Sequence, residues 1–290
     1  MSSPLPQAKP SALLPDPDAP APYTFERVQR DSDGGEVARL EAQNLLFEKA
    51  RPLDQLPPTP PDGAILDLGS GTGFWSARLA ERVPRGSLTC LDRSGELLDL
   101  ARTRLERPGG PRTAFLLQDL RALDLPQGAF DLVFTSMTLA HVRELEEVLN
   151  HLARALKPGG WIACFEPVQQ SRRFAEIHPP CPNLDFLMDR LLDMVESRGS
   201  DLSVSLKIAH HLDRLGLEEV ALRNYGAALH GEDARVCLRD VFLPLAWAYL
   251  RHRWEPGLLE RRMEAAAREA PAPHLWLDLR RAVTLARRPA

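Results

Sequence analysis

Short continuous apolar runs alternate along this chain with longer stretches whose apolar positions recur every three to four residues. The runs "AILDL" (64–68), "GSLTCLDRS" (86–94), "RTAFLLQDL" (112–120), "FDLVFTSM" (130–137) and "WIACFEP" (161–167) read as strands covered on both faces. Between them lie helical patterns over about 74–83, 95–107 and "RELEEVLNHLARAL" (143–156). Leu97, Leu98, Ala101 and Leu105 form the inner stripe of the second, and "KPGG" stops the third. Strands alternating with helices predict a parallel sheet with helices on both faces.

The flanks have a different texture. "EVARLEAQNLLFEKARPLDQL" (36–56) is helical, with Val37, Leu40, Gln43, Asn44 and Phe47 on one face and Pro52 ending its best part. "PPTPPDG" then breaks the chain before the first strand. After the fifth strand, "NLDFLMDRLLDMVES" carries Phe186, Leu187, Leu191, Met194 and Val195 at helical spacing, and "SLKIAHHLDRLG" is a second amphipathic helix closed by Gly216. "LEEVALRNYGAAL" reads as a sixth strand, residues of about 233–270 as helical, and "RRAVTLARRP" as a last strand. The expected class is therefore α/β, with seven strands in a mostly parallel sheet, an N-terminal helical cap and C-terminal helical additions. Residues 1–22, rich in proline, are expected to be a disordered tail. Residues 23–290 are expected to form one domain: cap 23–60, core 61–168, and helices and last strands 169–290.

Composition narrows the function classes. The formal net charge of −4 and pI of about 6.1 give no general attraction to phosphate backbones. No apolar run approaches the roughly 18–20 residues needed to span a bilayer, and the N-terminus lacks a charged-then-apolar signal. Cys90, Cys164, Cys181 and Cys237 are scattered without metal-ligand spacing, so no metal site is expected. These features predict a cytoplasmic protein, monomer or homodimer, that binds neither membrane nor nucleic acid.

The candidate chemistry starts at "ILDLGSGTGFWSARLA" (65–80). In open α/β sheets ligands bind beyond the carboxyl ends of the strands, and glycines at 69, 71 and 73 let backbone come close to one. A dinucleotide fingerprint needs Gly or Ala at position 74, where this chain has Phe74, and a Walker loop needs a lysine that is absent. What remains is D-x-G-S-G-T-G, followed by an acid, Asp92, at the end of the second strand, and by Gln118–Asp119 at the end of the third. With "FDLVFTSMTLAHV…LEEVLNHLARALKPGGWIACFEP", these blocks resemble the class I S-adenosylmethionine (SAM) dependent methyltransferases over about residues 36–230. The resemblance implies a Rossmann-like fold, SAM as methyl donor and S-adenosylhomocysteine as product.

The resemblance also implies site residues. Cofactor contacts are expected from Asp67, Gly69, Ser70, Gly71, Thr72 and Gly73 in the loop, Asp92 and Arg93 after strand two, Gln118, Asp119 and Leu120 after strand three, and Thr135, Ser136 and Met137 at the end of strand four. Backbone N–H groups at the loop and helix start suit the methionine carboxylate. Asp67 either orients loop amides or attracts the ammonium. Asp92 either accepts the ribose hydroxyls or caps a helix. Asp119 can accept from the adenine amine. Arg39 and Gln43, one helical turn apart, fit a cap helix closing over SAM, with Arg39 either pairing with the methionine carboxylate or facing solvent, and Tyr23 capping the site.

The acceptor is less constrained. Strand four ends in "TSMT", without the Asp/Asn-Pro-Pro-Tyr motif of methylases acting on nucleic acids or glutamine. Small-molecule relatives often read Leu-His-His just after it, where this chain reads Leu139–Ala140–His141. Candidate bases are His141, Glu166 and His178, each with an ordinary structural alternative, while His210–His211 are read as structural. Trp247, Tyr249 and Trp254 either line an apolar acceptor pocket or belong to the core. The expected partner is a small, partly apolar methyl acceptor of natural-product or quinone-like type. A SAM-binding accessory protein without catalysis, a peptide or protein methyltransferase and a nicotinamide dehydrogenase are the alternatives.

Overall fold

The computed structural model describes residues 23–32, 34–106, 108–168, 175–254, 257–269 and 273–290; the proline-rich segment 1–22 lies outside them. The central strands form as expected: β1 (Ala64–Leu68), β2 (Ser87–Asp92), β3 (Arg112–Leu117), β4 (Phe130–Ser136) and β5 (Leu156–Pro167). They run parallel in the order β3-β2-β1-β4-β5. The order reverses at β1, so the crevice beyond the carboxyl ends of β1 and β4 is the position where such sheets bind ligands.

Period-two alternation sorts each strand between two cores. Ile65 joins one apolar cluster, with Phe74, Trp75 and Leu79, while Leu66 and Leu68 join the other, with Leu149 and Leu152. Helices α3 (Phe74–Ala80) and α4 (Gly95–Leu105) cover the first face, and α5 (Leu145–Ala155) and α7 (Val204–Arg214) the second. In α5, Leu145, Val148, Leu149, Leu152 and Ala155 are buried at helical spacing, while Glu146 and Glu147 are exposed.

The last strands close the sheet with one addition. β7 (Glu218–His230) and β8 (Trp276–Arg287) pair antiparallel, and β8 also runs antiparallel to β5. A three-residue strand, β6 (Glu176–His178), pairs with the first residues of β8, alongside the path of β5. Among the described residues the sheet thus has eight strands, the seven read from the apolar runs plus this short one. Its single buried residue, Ile177, leaves no apolar run for sequence patterning to detect.

The helical additions depart most from expectation. A helix outside the 36–56 pattern, α1 (Phe25–Asp31), comes first, and that pattern forms α2 (Glu36–Glu48), which stops eight residues before Leu56. Arg51, at a left-handed φ of 49°, and the single turn Pro52–Gln55 follow it. The buried face of α2 is only partly the expected one: Phe47 is buried and Leu40 half-buried as anticipated, but Glu36, Arg39 and Leu46 are buried as well. The stretch 233–270 breaks into α8 (Glu232–Val236), a π-helical turn (Cys237–Phe242), α9 (Leu243–Leu250) and α10 (Leu258–Glu269). α2 packs on the π-helical turn and on α9, and α6 (Pro182–Ser197) packs between α9 and α10. Within α6, Leu184, Leu187, Met188, Leu191, Leu192 and Val195 are buried, whereas Phe186 is exposed and rests against Trp254.

Candidate active site

The loop between β1 and α3 is held by its own backbone. The amides of Gly69 and Ser70 both donate to the Leu91 carbonyl at the end of β2, at 2.7 and 3.0 Å. The Gly71 amide donates to Asp92 Oδ2 (2.9 Å), and the Ser94 amide to Asp92 Oδ1 (3.0 Å). Asp92 is buried, and burial pushes its carboxyl above the usual range despite these amides. Asp67 lies beneath, accepting from the Ser76 hydroxyl. Burial, opposed by that bond and reinforced by the Asp92 charge, pushes Asp67 up to about 7.

Two glycines are dictated by space. Gly69 has φ +71°, and a Cβ there would stand 2.3 Å from the Thr138 hydroxyl oxygen in the loop after β4. Gly73, at φ +76°, caps α3, and a Cβ there would meet the Ala101 Cα of α4 at 2.8 Å. A side chain at either position would push the loop off its neighbours. Phe74 then starts α3, buried, with the Arg78 guanidinium 3.6 Å from its ring centre.

The remaining cofactor candidates divide. Thr72 is buried, donates to Glu41 of α2 and accepts from Arg104 Nη1 (3.3 Å). Arg93 is exposed and Leu120 half-buried at the rim. Gln118 is engaged in its own turn, exchanging bonds with the backbone of Asp124. Asp119 accepts from the backbone amide, Nε and Nη2 of Arg121, which holds its carboxyl below the usual range. At the end of β4, Thr135 is fully buried and Ser136 half-buried. Met137 has a left-handed φ of 54°, a conformation that costs a non-glycine residue about 1–3 kcal/mol and concentrates at functional sites.

Above β4 and β5 a cavity opens between the sheet and the cap. Its walls include Tyr23, Arg39, Gln43, Met137, His141 and Tyr249. Arg39, read as facing either a ligand carboxylate or solvent, closes its fork on Glu36: Nε and Nη2 each donate at 2.7 Å. Its Nη1 reaches Gln43 (2.9 Å), and the Tyr23 hydroxyl also donates to Glu36, at 2.7 Å. Glu36 is fully buried and was missed by sequence reasoning; its spacing of three residues from Arg39 was the available signal.

The candidate bases are placed differently from one another. The His141 Nδ1 lies 2.8 Å from the Ser200 hydroxyl, its ring faces that of Tyr23, and burial with the nearby Arg39 charge pushes it down to about 4. Glu166 is fully buried, and its carboxylate accepts from the Thr135 hydroxyl and the amides of Thr138, Leu139 and Ala140. It shapes the turn Leu139–His141 rather than facing the cavity. His178 is exposed on β6, outside the cavity wall. Of the three aromatic candidates only Tyr249 lines the cavity; Trp247 and Trp254 pack elsewhere against the core.

Residues 65–160 match the family model described as "Methyltransferase domain". A demethylmenaquinone methyltransferase of Roseiflexus castenholzii is 30% identical over 166 residues, covering 56% of this chain and 68% of that protein. The chain belongs to the class I SAM-dependent methyltransferases. A Lactococcus lactis demethylmenaquinone methyltransferase is 36% identical over 104 residues, and the matched stretch is 36% of this chain and 41% of that protein. A malonyl-[acyl-carrier protein] O-methyltransferase of Methylococcus capsulatus is 33% identical over 104 residues, 36% of this chain and 37% of the relative. The matched stretch of this chain spans less than half the length of two of these three relatives. Among solved structures, Haemonchus contortus phosphoethanolamine N-methyltransferase 2 superposes with a TM-score of 0.57 at 15% identity, covering 92% of this chain and 59% of that one. The YcgJ protein of Bacillus subtilis gives 0.53 at 14%, covering 86% and 99%. Both show the fold.

The residues present fit the family's cofactor. Ser70 Oγ is buried in the cradle without a hydrogen-bond partner among the described residues, and the space over Gly71 is open. The donor set suits a molecule with hydroxyls and a zwitterion: short carboxylates at the ends of β1 and β2, an orphaned hydroxyl, no lysine and no Gly or Ala at position 74 for a pyrophosphate. No helix among the described residues is long and apolar enough to cross a membrane.

Proposed function

We propose that this chain transfers a methyl group from SAM to oxygen, nitrogen or carbon of a small, partly apolar metabolite of natural-product or quinone-like type. The observation that carries the reading is a shared wall: Met137, just past the carboxyl end of β4, lines the cavity under the cap, and the next residue, Thr138, packs against Gly69 of the cradle. Asp92 would hold the ribose hydroxyls, Ser70 would donate its free hydroxyl to the methionine end, and Asp67 would neutralise the ammonium. SAM supplies an activated methyl on a sulfonium, so the acceptor's lone pair forms the new bond as the sulfur–carbon bond breaks and the sulfur leaves as a thioether. The chain's task is then alignment and exclusion of water. Phe47, Leu40, Val241 and Phe242 make the cavity apolar, and α2 roofs it.

The names of the Roseiflexus and Lactococcus relatives support a quinone-like acceptor. Titration calorimetry with SAM and with S-adenosylhomocysteine tests the core of the reading. Binding of both is expected, and no heat with either, from folded protein, overturns it. One observation favours a SAM-binding accessory protein instead: His141 is held neutral by burial and bonded to Ser200, and Glu166 is committed to the turn after β4. Methyl transfer to any member of a panel of phenols, amines and hydroquinones decides for the enzyme. Tight SAM binding without transfer, together with a stable protein partner, decides for the accessory role.

A further inference from the structure

Among the described residues two guanidinium groups line the cap cavity, and one of them is closed on a carboxylate. Arg39 is closed on Glu36 and Gln43. Arg281, on β8 opposite Tyr225 of β7 and Pro167 of β5, lines the same cavity and is 7% exposed. Its Nη1 donates to the Arg280 carbonyl (3.2 Å), and its plane lies over the Phe47 ring of α2 at 4.4 Å. Its Nε is buried with no partner among the described residues, and no carboxylate among them forms an ion pair with it. Glu166, the next-to-last residue of β5, lends its charge from a distance but has its oxygens occupied by four donors from the end of β4 and the turn after it. Buried donors are nearly always paired, and a buried charge without a counter-charge is costly. The open edge of Arg281, Nε with Nη2, is the edge that a planar guanidinium offers to two oxygens at once.

We infer that the methyl acceptor is amphipathic and carries one anionic group, a carboxylate or a phosphate, that docks on Arg281 while its apolar body lies against Phe47, Phe242 and Leu279. This inference rests on the methyltransferase reading and fixes the acceptor's orientation within it. The anion is bound at the β8 side of the cavity, and the nucleophile is turned toward Met137 and the cradle. The cation–π stack with Phe47 holds the guanidinium plane, so an arriving anion meets a preoriented fork.

The test uses the full chain saturated with S-adenosylhomocysteine and four probes of one chain length: octanoate, octyl phosphate, octan-1-ol and octyltrimethylammonium. Either or both anions should bind about tenfold or more tightly than octanol, and the cation most weakly. Arg281→Met should remove the preference for the anion while leaving S-adenosylhomocysteine affinity unchanged. Arg281→Lys, a point charge without the fork, should keep part of the phosphate preference and lose most of the carboxylate preference, which separates the two ligand chemistries. Octanol binding as tightly as both anions to the unmodified chain overturns the inference without any variant, so a misfolded Arg281→Met protein does not shield it. An anion preference that survives in folded Arg281→Met overturns it as well. Failure of S-adenosylhomocysteine to bind would instead remove the methyltransferase reading beneath it.

Discussion

Two carboxylate–arginine pairs border the ligand space, and they differ in nearly every respect except their chemistry. In the cradle, Asp119 and Arg121 stand two residues apart with side chains 34% and 63% exposed. Under the cap, Glu36 and Arg39 stand three residues apart with side chains 0% and 6% exposed. The cradle works with backbone amides, short acids at strand ends and a solvent-exposed ion pair at its rim. The cap works with long charged side chains taken out of water and bound to one another. Burial pulls the Arg39 guanidinium down, but the Glu36 charge and its two hydrogen bonds hold it above its ordinary value. The Tyr23 hydroxyl is likewise raised, by burial first and then by Glu36. The cradle can be read as a set of local features; the cap stands or falls as a network.

The sharpest way to break this contrast is to cut both pairs in the same manner. Glu36→Gln leaves a buried guanidinium without its counter-charge and is expected to cost about 3–5 kcal/mol of stability, read from urea denaturation. Asp119→Asn, at the wet pair, is expected to cost under about 1 kcal/mol in the same assay. The double variant Glu36→Gln/Arg39→Met should recover much of the first loss, because it removes the stranded charge. Equal losses at the two single sites would show that the cap pair is hydrated and would dissolve the distinction.

A smaller effect comes from His141, which belongs to the cap network through Tyr23 and Ser200. Its folded value of about 4, against 6.5 for a free histidine, means that the unfolded chain takes up a proton first as pH falls. Stability contributed by neutral His141 is therefore fully present above about pH 6.5 and is lost as pH drops toward 4. For a half-buried ring the loss is about 1–3 kcal/mol. His141→Gln should flatten the denaturation profile over that window while leaving it unchanged at pH 8. A profile identical to that of the unmodified chain would mean that the ring is hydrated and unperturbed.

The same contrast explains what could be read from the chain alone. β1 through β5, the helices between them and the positions of Asp67, Gly69, Asp92 and Asp119 follow from runs of apolar residues and from spacing within one loop or one strand end, because backbone geometry places them. The cap chamber draws on Tyr23, Glu36, His141, Ser200 and Arg281, which are brought together only by the closing of α2 and the antiparallel return of β8. Helical periodicity put Val37, Leu40, Gln43 and Phe47 on the inner face of α2; Leu40, Gln43 and Phe47 do line the cavity, but the fold also buries Glu36 and Arg39 there as a mutually neutralised pair. A pattern rule that assigns charges to solvent must fail at such a site. Arg281 fell within a run read simply as a last strand, and nothing in "RRAVTLARRP" distinguishes the arginine that is buried from its neighbours.

The two regions are tied at several points, Glu48 of α2 to Arg78 of α3, Asn44 to Trp75, and Glu41 to Thr72 and Arg104, and the smallest expected effect lies at the last of these. Glu41 of α2 accepts from the Thr72 hydroxyl in the glycine loop and from Arg104 Nη2 of α4 (2.9 Å), so the cap is tied directly to the cradle floor. The Glu41 and Arg104 side chains are 27% and 29% exposed, which limits the worth of the tie to about 0.5–1 kcal/mol. Because the Glu48–Arg78 and Asn44–Trp75 contacts remain when Glu41 is cut, that energy belongs to closure rather than to folding. Glu41→Gln should then speed S-adenosylhomocysteine release by about two- to fivefold in stopped-flow displacement, the rate equivalent of the same energy. Its urea midpoint should move little, and the release rate of the unmodified chain should rise with salt as the ion pair is screened. A variant that loses stability without faster release would place Glu41 in the cradle's own architecture, and the boundary between the two regions would have to be drawn on the far side of α2.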